Sequence, residues 1–218
     1  ATFKWLDDTD WRSGIEQVGI VQDYSVSASG RHGKNSYYAS LGYSDTEGYI
    51  VGSGFERYTA RANISTNAAE WLKIGVNLAS ALSKAYGIQS TSQGTTGNVF
   101  LIARRMPPVY GVHLHDNTGA LILDENGNPI YDFGEGYTTA SGVTIPGRAI
   151  YSGVNAPRQL RERFYQRDRA MMDVKPYIEI SFLKDFKFTA NAALYNSNYT
   201  EHSATVFYPE KASNTPST

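Results

Sequence analysis

Apolar and polar residues alternate along this chain in unusually long runs. Over residues 70–84, Leu72, Ile74, Val76, Leu78 and Leu82 fall on one side of a period of two. Lys73, Gly75, Asn77, Ala79 and Ala81 fall on the other. Successive side chains of an extended chain point to opposite faces, so the run predicts a strand with one oily face and one face of small and polar residues. Strands of soluble domains run to about 5–6 residues, and this alternation lasts nearly twice that.

The pattern recurs. Tyr24, Val26 and Ala28 oppose Ser25, Ser27 and Ser29. Tyr37, Ala39, Leu41 and Tyr43 oppose Tyr38, Ser40, Gly42 and Ser44. Tyr58, Ala60, Ala62 and Ile64 oppose Thr59, Arg61, Asn63 and Ser65. Two more runs cover 172–182 and 186–196, the second read as one strand carrying Phe186, Phe188, Ala190, Ala192 and Leu194 on one face. Pro176 sits inside the first of these and predicts an edge or a bulge there, because it brings no N–H to a ladder. The expected fold is all-β, with antiparallel up-and-down strands. A soluble sandwich would turn the apolar faces inward, and a membrane barrel would turn them to lipid. Periodicity alone leaves both open.

The connections separate them. Those at 30–35, 67–71 and 183–187 are short, whereas 44–56 and a segment of some eighty residues, about 85–165, are long. In a meander, this places the short turns at one end and the long loops at the other, as in outer-membrane barrels. Trp71 and Phe186 fall beside short turns, where an interfacial aromatic girdle belongs. The long segment has its own signals. Residues 87–98 are rich in Gly, Ser and Thr and read as mobile. Asn98 caps a short helix running to Arg105, stopped by Pro107 and Pro108. Turns are expected at 117–119 and at Asn126-Gly127, the latter as a type I′ hairpin. Asn155 and Pro157 open a second helix with Leu160 and Phe164 on one face.

Composition narrows the function. Net charge is -1 over 218 residues, which gives no basic footprint for nucleic acid. There are no cysteines, which excludes disulfides, thiolate metal sites and a cysteine nucleophile. The 16 Tyr, 9 Phe and 20 Gly fit a β-rich chain. No signal peptide is expected within these residues, and no apolar run reaches transmembrane-helix length, which leaves a β-barrel open. His113 and His115 share a face if extended, but two histidines do not make a metal site. The run 124–128 lacks calcium-loop spacing and reads as a turn. Arg158, Arg161, Arg163, Arg167 and Arg169 are interrupted by Glu162 and Asp168 and read as a solvated helix leading into a strand. No catalytic motif is present, and adjacent carboxylates such as Asp7 and Asp8 point apart on a strand. Neither an enzyme nor a cofactor is expected.

Ordered segments across most of the chain, from about Thr9 to Pro209, carry a resemblance. They are "TDWRSGI", "QDYSVSASG", "YYASLGYSDTEGYIVGSGFERYTARANI", "EWLKIGVNLASALSK", "ARRMPPVYGVHLHD", "LDENGNPIYDFG" and "FLKDFKF". Together they resemble the SusC/RagA-type TonB-dependent outer-membrane transporters of Bacteroidetes. The resemblance implies a segment, here 1–218, of a large transmembrane β-barrel. It implies a location in the outer membrane and import of glycans or peptides. The implied partners are a SusD-like surface lipoprotein, outer-membrane lipid, and the TonB complex through an N-terminal part and plug not expected within these residues. The loop at about 85–165 is then extracellular, with Arg104, Arg105, Tyr110, His113 and His115 as candidate contacts for substrate or partner. The alternative is a soluble β-sandwich carbohydrate-binding module whose aromatics stack on sugars.

Overall fold

The computed structural model describes residues 8–87, 98–116, 118–138, 142, 144–183 and 185–205. Most of the expected Gly/Ser/Thr-rich run, together with Asp7, Asn117, Lys184 and everything past 205, lies outside the described residues.

One antiparallel sheet dominates. Its strands are β1 (Val21–His32), β2 (Asn35–Glu47), β3 (Gly54–Ala69) and β4 (Leu72–Gly87), followed after the long excursion by β7 (Arg163–Phe182), β8 (Phe186–Asn191) and β9 (Leu194–Thr205). Two-residue strands β5 (Tyr137–Thr138) and β6 (Thr144–Ile145) pair with each other inside the excursion. The main sheet runs β1-β2-β3-β4-β7, with β8 and β9 both pairing with β7. The strands therefore form six columns in meander order, and the sheet does not close. No second large sheet packs on it among the described residues, which sets aside the sandwich alternative.

Register brings the apolar sets onto one face. Tyr24 pairs with Tyr43, Tyr43 with Tyr58, and Tyr58 with Leu82. Ala28, Ala39, Ala62, Leu78 and Val174 form another row, and Ile74 pairs with Ile178. Arg61, Asn63, Asn77 and Lys175 share the opposite face. From Leu72 to Leu82 the apolar face of β4 runs ten residues. At about 3.4 Å per residue and a tilt near 40°, it rises about 26 Å, close to the ~25 Å apolar band of an outer-membrane barrel. Many large apolar side chains on this face stand in the open, including Val26, Leu41, Ile64 and Leu82. A soluble sheet would cover them, whereas lipid does so here.

Glycines on the wall are covered by aromatic rings from their cross-strand partners. Gly30 lies under Tyr37, Gly54 under Tyr86 and Gly75 under Tyr177, each ring occupying the space a Cβ would need. This covering compensates for the packing that glycine omits in a strand.

The short turns lie at one end. Gly33, at φ 58°, opens the two-residue turn between β1 and β2, as the first central position of a II′ turn requires. Trp71 lies in the β3–β4 turn, half exposed, and its carbonyl accepts from Ser181 N at 2.8 Å. Phe182 and Phe186 stack across the β7–β8 turn with centroids 5.7 Å apart.

Four expectations need correction. The connection read at 44–56 shrinks to 48–53, because β2 runs on to Glu47 and β3 starts at Gly54. Residues 186–196 are two strands rather than one, broken at Ala192 and Ala193. Pro176 is the cause. It lies inside a 20-residue strand, paired with Val76 on one side. Its carbonyl accepts from Ala192 N at 3.1 Å on the other side. The N and C=O of a strand residue face the same neighbour, so the missing donor points at the break between β8 and β9. The proline thus stands in a central strand, and the bulge falls in its neighbour. Phe164 belongs to β7 and not to a helix face with Leu160, because the helix ends at Glu162.

The two faces predict different tolerance to charge. In the full-length protein refolded into lipid, Val76→Arg should cost about 2–4 kcal/mol at mid-membrane. Asn77→Arg, one residue along on the opposite face, should cost less than 1 kcal/mol. Denaturant unfolding in bilayers measures both.

Candidate functional site

The buried core of the described chain is almost entirely outside the sheet. Trp11, Ile15 and Ile50 pack with Val99, Ile102, Ala103, Met106, Val154 and Ala156. The eighty-residue excursion thus folds around its own centre and captures the segment that precedes β1. Helix α1 (Val99–Arg105) starts as expected, with Asn98 Oδ1 accepting from Phe100 N at 3.1 Å and Leu101 N at 3.2 Å. It ends at Met106, which turns extended before Pro107. Helix α2 (Ala156–Glu162) is capped by Asn155 Oδ1, which accepts from Arg158 N at 3.1 Å.

Asn155 does more than cap. Its Nδ2 donates to Val112 O at 2.8 Å and Asp132 O at 2.9 Å, tying α2 to the loop strands. Arg148 is the second tie. It is buried, and its Nη2 donates to Val154 O at 2.8 Å and Asp132 O at 3.2 Å, while Nη1 approaches Met106 Sδ at 3.2 Å. Its guanidinium lies 5.9 Å from the Trp11 ring and 5.6 Å from that of Tyr110, within cation–π range. Burial lowers the Arg148 pKa, and Asp132 and Tyr110 partly oppose this.

Between the helices lies an internal repeat. Leu114-x-Asp116, Ile122-x-Asp124 and Ile130-x-Asp132 recur every eight residues, each followed by a glycine at positive φ: Gly119 at 89°, Gly127 at 81° and Gly134 at 68°. Their central backbones close a ring. Leu114 N donates to Ile130 O at 2.9 Å, Ile130 N to Ile122 O at 3.0 Å, and Ile122 N to Leu114 O at 2.9 Å. Each aspartate holds the turn that follows. Asp116 Oδ1 accepts from Thr118 N at 2.8 Å, Asp124 Oδ1 from Asn128 N at 2.8 Å, and Asp132 Oδ1 from Gly134 N at 2.6 Å. The Asp116 pKa is lowered first by the Thr118 hydroxyl, and that of Asp124 by Asn128 N–H. The 124–128 turn is therefore a turn, as expected, but not type I′, which needs positive φ at Asn126 as well. Asn126 is not among the positive-φ residues, and Asp124 N donates to Asn128 O across a three-residue loop.

The candidate contacts fall in different settings. Arg104 and Arg105 are exposed in the last turn of α1. Tyr110 is half-buried, and its carbonyl accepts from Trp11 Nε1 at 3.0 Å, so its first role is packing. His113 and His115 are half-buried, in bridges with Tyr131 and Leu121. The His113 ring is 4.6 Å from that of Tyr131, which the Arg158 guanidinium also approaches, at 4.8 Å. Burial lowers the His113 pKa, and His115 and Arg161 add to the effect. Among the described residues no cluster of His, Asp or Glu suits a metal ion. The sequence reading missed Trp11, Arg148 and the ties made by Asn155. The eight-residue spacing of Asp116, Asp124 and Asp132 was the one signal available for the repeat.

A wall of long antiparallel strands, apolar outside and polar inside, with short turns at one end and a self-packed loop at the other, is part of an outer-membrane β-barrel. No protein-family model matches the chain. It is 28% identical over 127 residues to TonB-dependent receptor P3 of Formosa agariphila, covering 56% of this chain and 13% of that protein. It is 35% identical over 71 residues to TonB-dependent receptor SusC of Bacteroides thetaiotaomicron, covering 32% of this chain and 7% of that protein. A solved structure of the RagAB peptide transporter superposes with a TM-score of 0.61 at 26% identity, covering 90% of this chain and 20% of the other. These likenesses support a barrel segment of the SusC/RagA type of TonB-dependent outer-membrane transporter, and the chain spans about a fifth or less of the relatives it matches.

Two outcomes test the loop. Arg148→Ala removes charged hydrogen bonds in a buried place and should destabilise the excursion by about 3 kcal/mol, read as faster proteolysis within 98–162 of the full-length protein while the barrel itself stays intact. Acidification acts in the same direction. A histidine held neutral by burial contributes stability above its unfolded pKa of about 6.5, and that contribution is lost as pH falls toward its lowered folded value. Proteolysis of the loop should therefore quicken below about pH 6.5, and His113→Phe should flatten that slope.

Proposed function

We propose that this segment supplies part of the wall and one gating loop of a TonB-dependent importer. The long-loop end is extracellular, and the loop at about 85–165 meets substrate and a SusD-like surface lipoprotein. TonB acts through the parts of the protein that lie outside this segment. The observation that carries the reading is the likeness over 90% of the chain to a transporter, wall and loop together. The named function of that neighbour, peptide import, favours a peptide over a glycan as cargo. The self-packed core supports a loop that holds its shape in water. A loop built only to connect strands would need no buried Arg148 and no closed hydrogen-bond ring.

On this reading, exposed Arg104 and Arg105 and half-buried His113 and His115 are the contacts, and Tyr110 acts by holding the loop. No catalytic chemistry is assigned, and the matched proteins are receptors and transporters.

The test is uptake by cells carrying the full-length protein. Labelled oligopeptides and oligosaccharides are offered separately, with and without the paired changes Arg104→Ala/Arg105→Ala and His113→Ala/His115→Ala. The proposal expects uptake that needs TonB and falls several-fold in at least one pair, with unchanged protein level in the membrane. Uptake unaffected by both pairs would remove these residues from the site. Failure to import either class would overturn the importer reading.

A further inference from the structure

Charge near the long-loop end of the wall is sorted by face. Beyond the row of Tyr24, Tyr43 and Tyr58, the outer face carries Asp45, Glu56, Lys84 and Asp168 in one row. The sequence neighbours Arg57 and Arg169 fall on the inner, water side, as do Arg61 and Arg167. Register sets Arg57 and Arg169 in one row on either side of Ser83, and Arg61 in the row of Ala79 and Asp173. With strands about 4.8 Å apart and residues about 3.4 Å apart along a strand, the backbone of Arg57 is roughly 10 Å from that of Arg169 and roughly 14 Å from that of Arg61. The strand between them presents only Ala79, Ala81 and Ser83 on this face, so the arginines stand over a low floor.

The inner carboxylates at this level, among the described residues, are Asp23, Asp173 and Glu201. Arg167 takes Glu201, its Nε donating to Oε1 at 2.7 Å. Lys175 takes Asp173, at 2.6 Å. Arg57 and Arg61 are exposed and make no hydrogen bond or ion pair among the described residues. Arg169 is held by neutral oxygens, with Nε donating to Ser197 Oγ at 2.9 Å and Nη2 to the Tyr195 hydroxyl at 3.3 Å. These bonds place the guanidinium without cancelling its charge. Three inward arginines thus face one carboxylate outside an ion pair, Asp23, which stands two strands from Arg57 in the same row.

We propose, on the reading of the protein as a peptide importer, that this inner patch binds acidic peptides, with Arg57, Arg61 and Arg169 meeting cargo carboxylates just inside the long-loop end. The charge left over selects the occupant. An acidic chain supplies the carboxylates that the wall lacks, and a basic chain meets uncompensated guanidiniums. Each guanidinium can take a carboxylate through two parallel N–H donors, and those of Arg57 and Arg61 have no competing partner. On an extended peptide, carboxylates four residues apart lie about 14 Å apart, the separation of Arg57 and Arg61 along their strand.

The experiment titrates the full-length transporter, purified in detergent, with short fluorescent peptides that are identical except for two positions, four residues apart, occupied by Glu or by Gln. Fluorescence anisotropy reads binding. The Glu peptide should bind about tenfold or more tightly than its Gln counterpart, the worth of one charge-assisted hydrogen bond, and the difference should shrink as salt rises. Arg57→Gln and Arg169→Gln should each remove most of that difference and leave the affinity for the Gln peptide unchanged, whereas Arg57→Lys should keep part of it. Should the variants fail to insert, the comparison of the two peptides on the unaltered protein still decides. Equal binding of the two peptides would overturn the proposal. So would a loss in the variants that is the same for both peptides, which would mark the patch as a contact for another part of the same protein. Uptake by cells separates the two readings: import of both peptides at equal rates would overturn the acidic-peptide patch alone, and acid-selective binding without import would overturn the importer reading alone.

Discussion

A backbone in hydrocarbon has no water to bond with, so every N–H and C=O of the spanning segment must find a partner in the protein. This constraint explains the long strands, the meander and the strict register. Fifteen of the sixteen residues of β3 pair with β4, with one irregularity, between Asn67 and Ala69, close to the short turn. The other irregularity follows from Pro176, the one residue in the wall run that brings no donor. The sheet answers by breaking the neighbouring strand at Ala192 and Ala193, where the missing N–H points. The open edges at β1 and at β8 and β9 cannot meet lipid alone, and the rest of the barrel must pair with them.

The same constraint assigns the energetics to two separate places. The wall buries little of its own apolar surface, and lipid covers the rows that register assembles. The loop faces water and needs a core of the ordinary kind. Trp11, Ile15 and Ile50 come from outside the excursion and are held by it, with Arg148 lying over Trp11 and Tyr110 and bonding to backbone carbonyls of both flanking stretches. The buried guanidinium has no carboxylate partner in bonding distance among the described residues. Carbonyls and aromatic faces hold it instead, so its removal loosens several segments at once.

The wall was legible in the sequence because lipid on one side and water on the other force a period of two. The strands, the face assignments, the alternation of short and long connections and the Asn98 and Asn155 caps all come from local rules. The strand break opposite Pro176 was not legible, because a proline shows that a donor is missing but not which neighbour it faces. The tyrosine row at the long-loop end was likewise hidden, since Tyr24, Tyr43 and Tyr58 meet only through register. Of the candidate contacts, His113, His115 and Tyr110 are all half-buried, His113 against the Tyr131 ring and Tyr110 through Trp11, ninety-nine residues away. The role of Arg148 rests on contacts that run from Val154, close by in the chain, to the distant Trp11 ring.

The central claim is that the apolar face of the wall meets lipid and its opposite face meets water. The described segment has no cysteine, so single spin labels can be set at Leu78→Cys and Ala79→Cys in a full-length protein otherwise free of cysteine and reconstituted in bilayers. Molecular oxygen partitions into hydrocarbon and a charged nickel chelate stays in water, so their relaxation of each label reports its surroundings. The account predicts a label at position 78 relaxed by oxygen and shielded from the chelate, with the reverse order at position 79. The same order at both positions, or the opposite assignment, would contradict it.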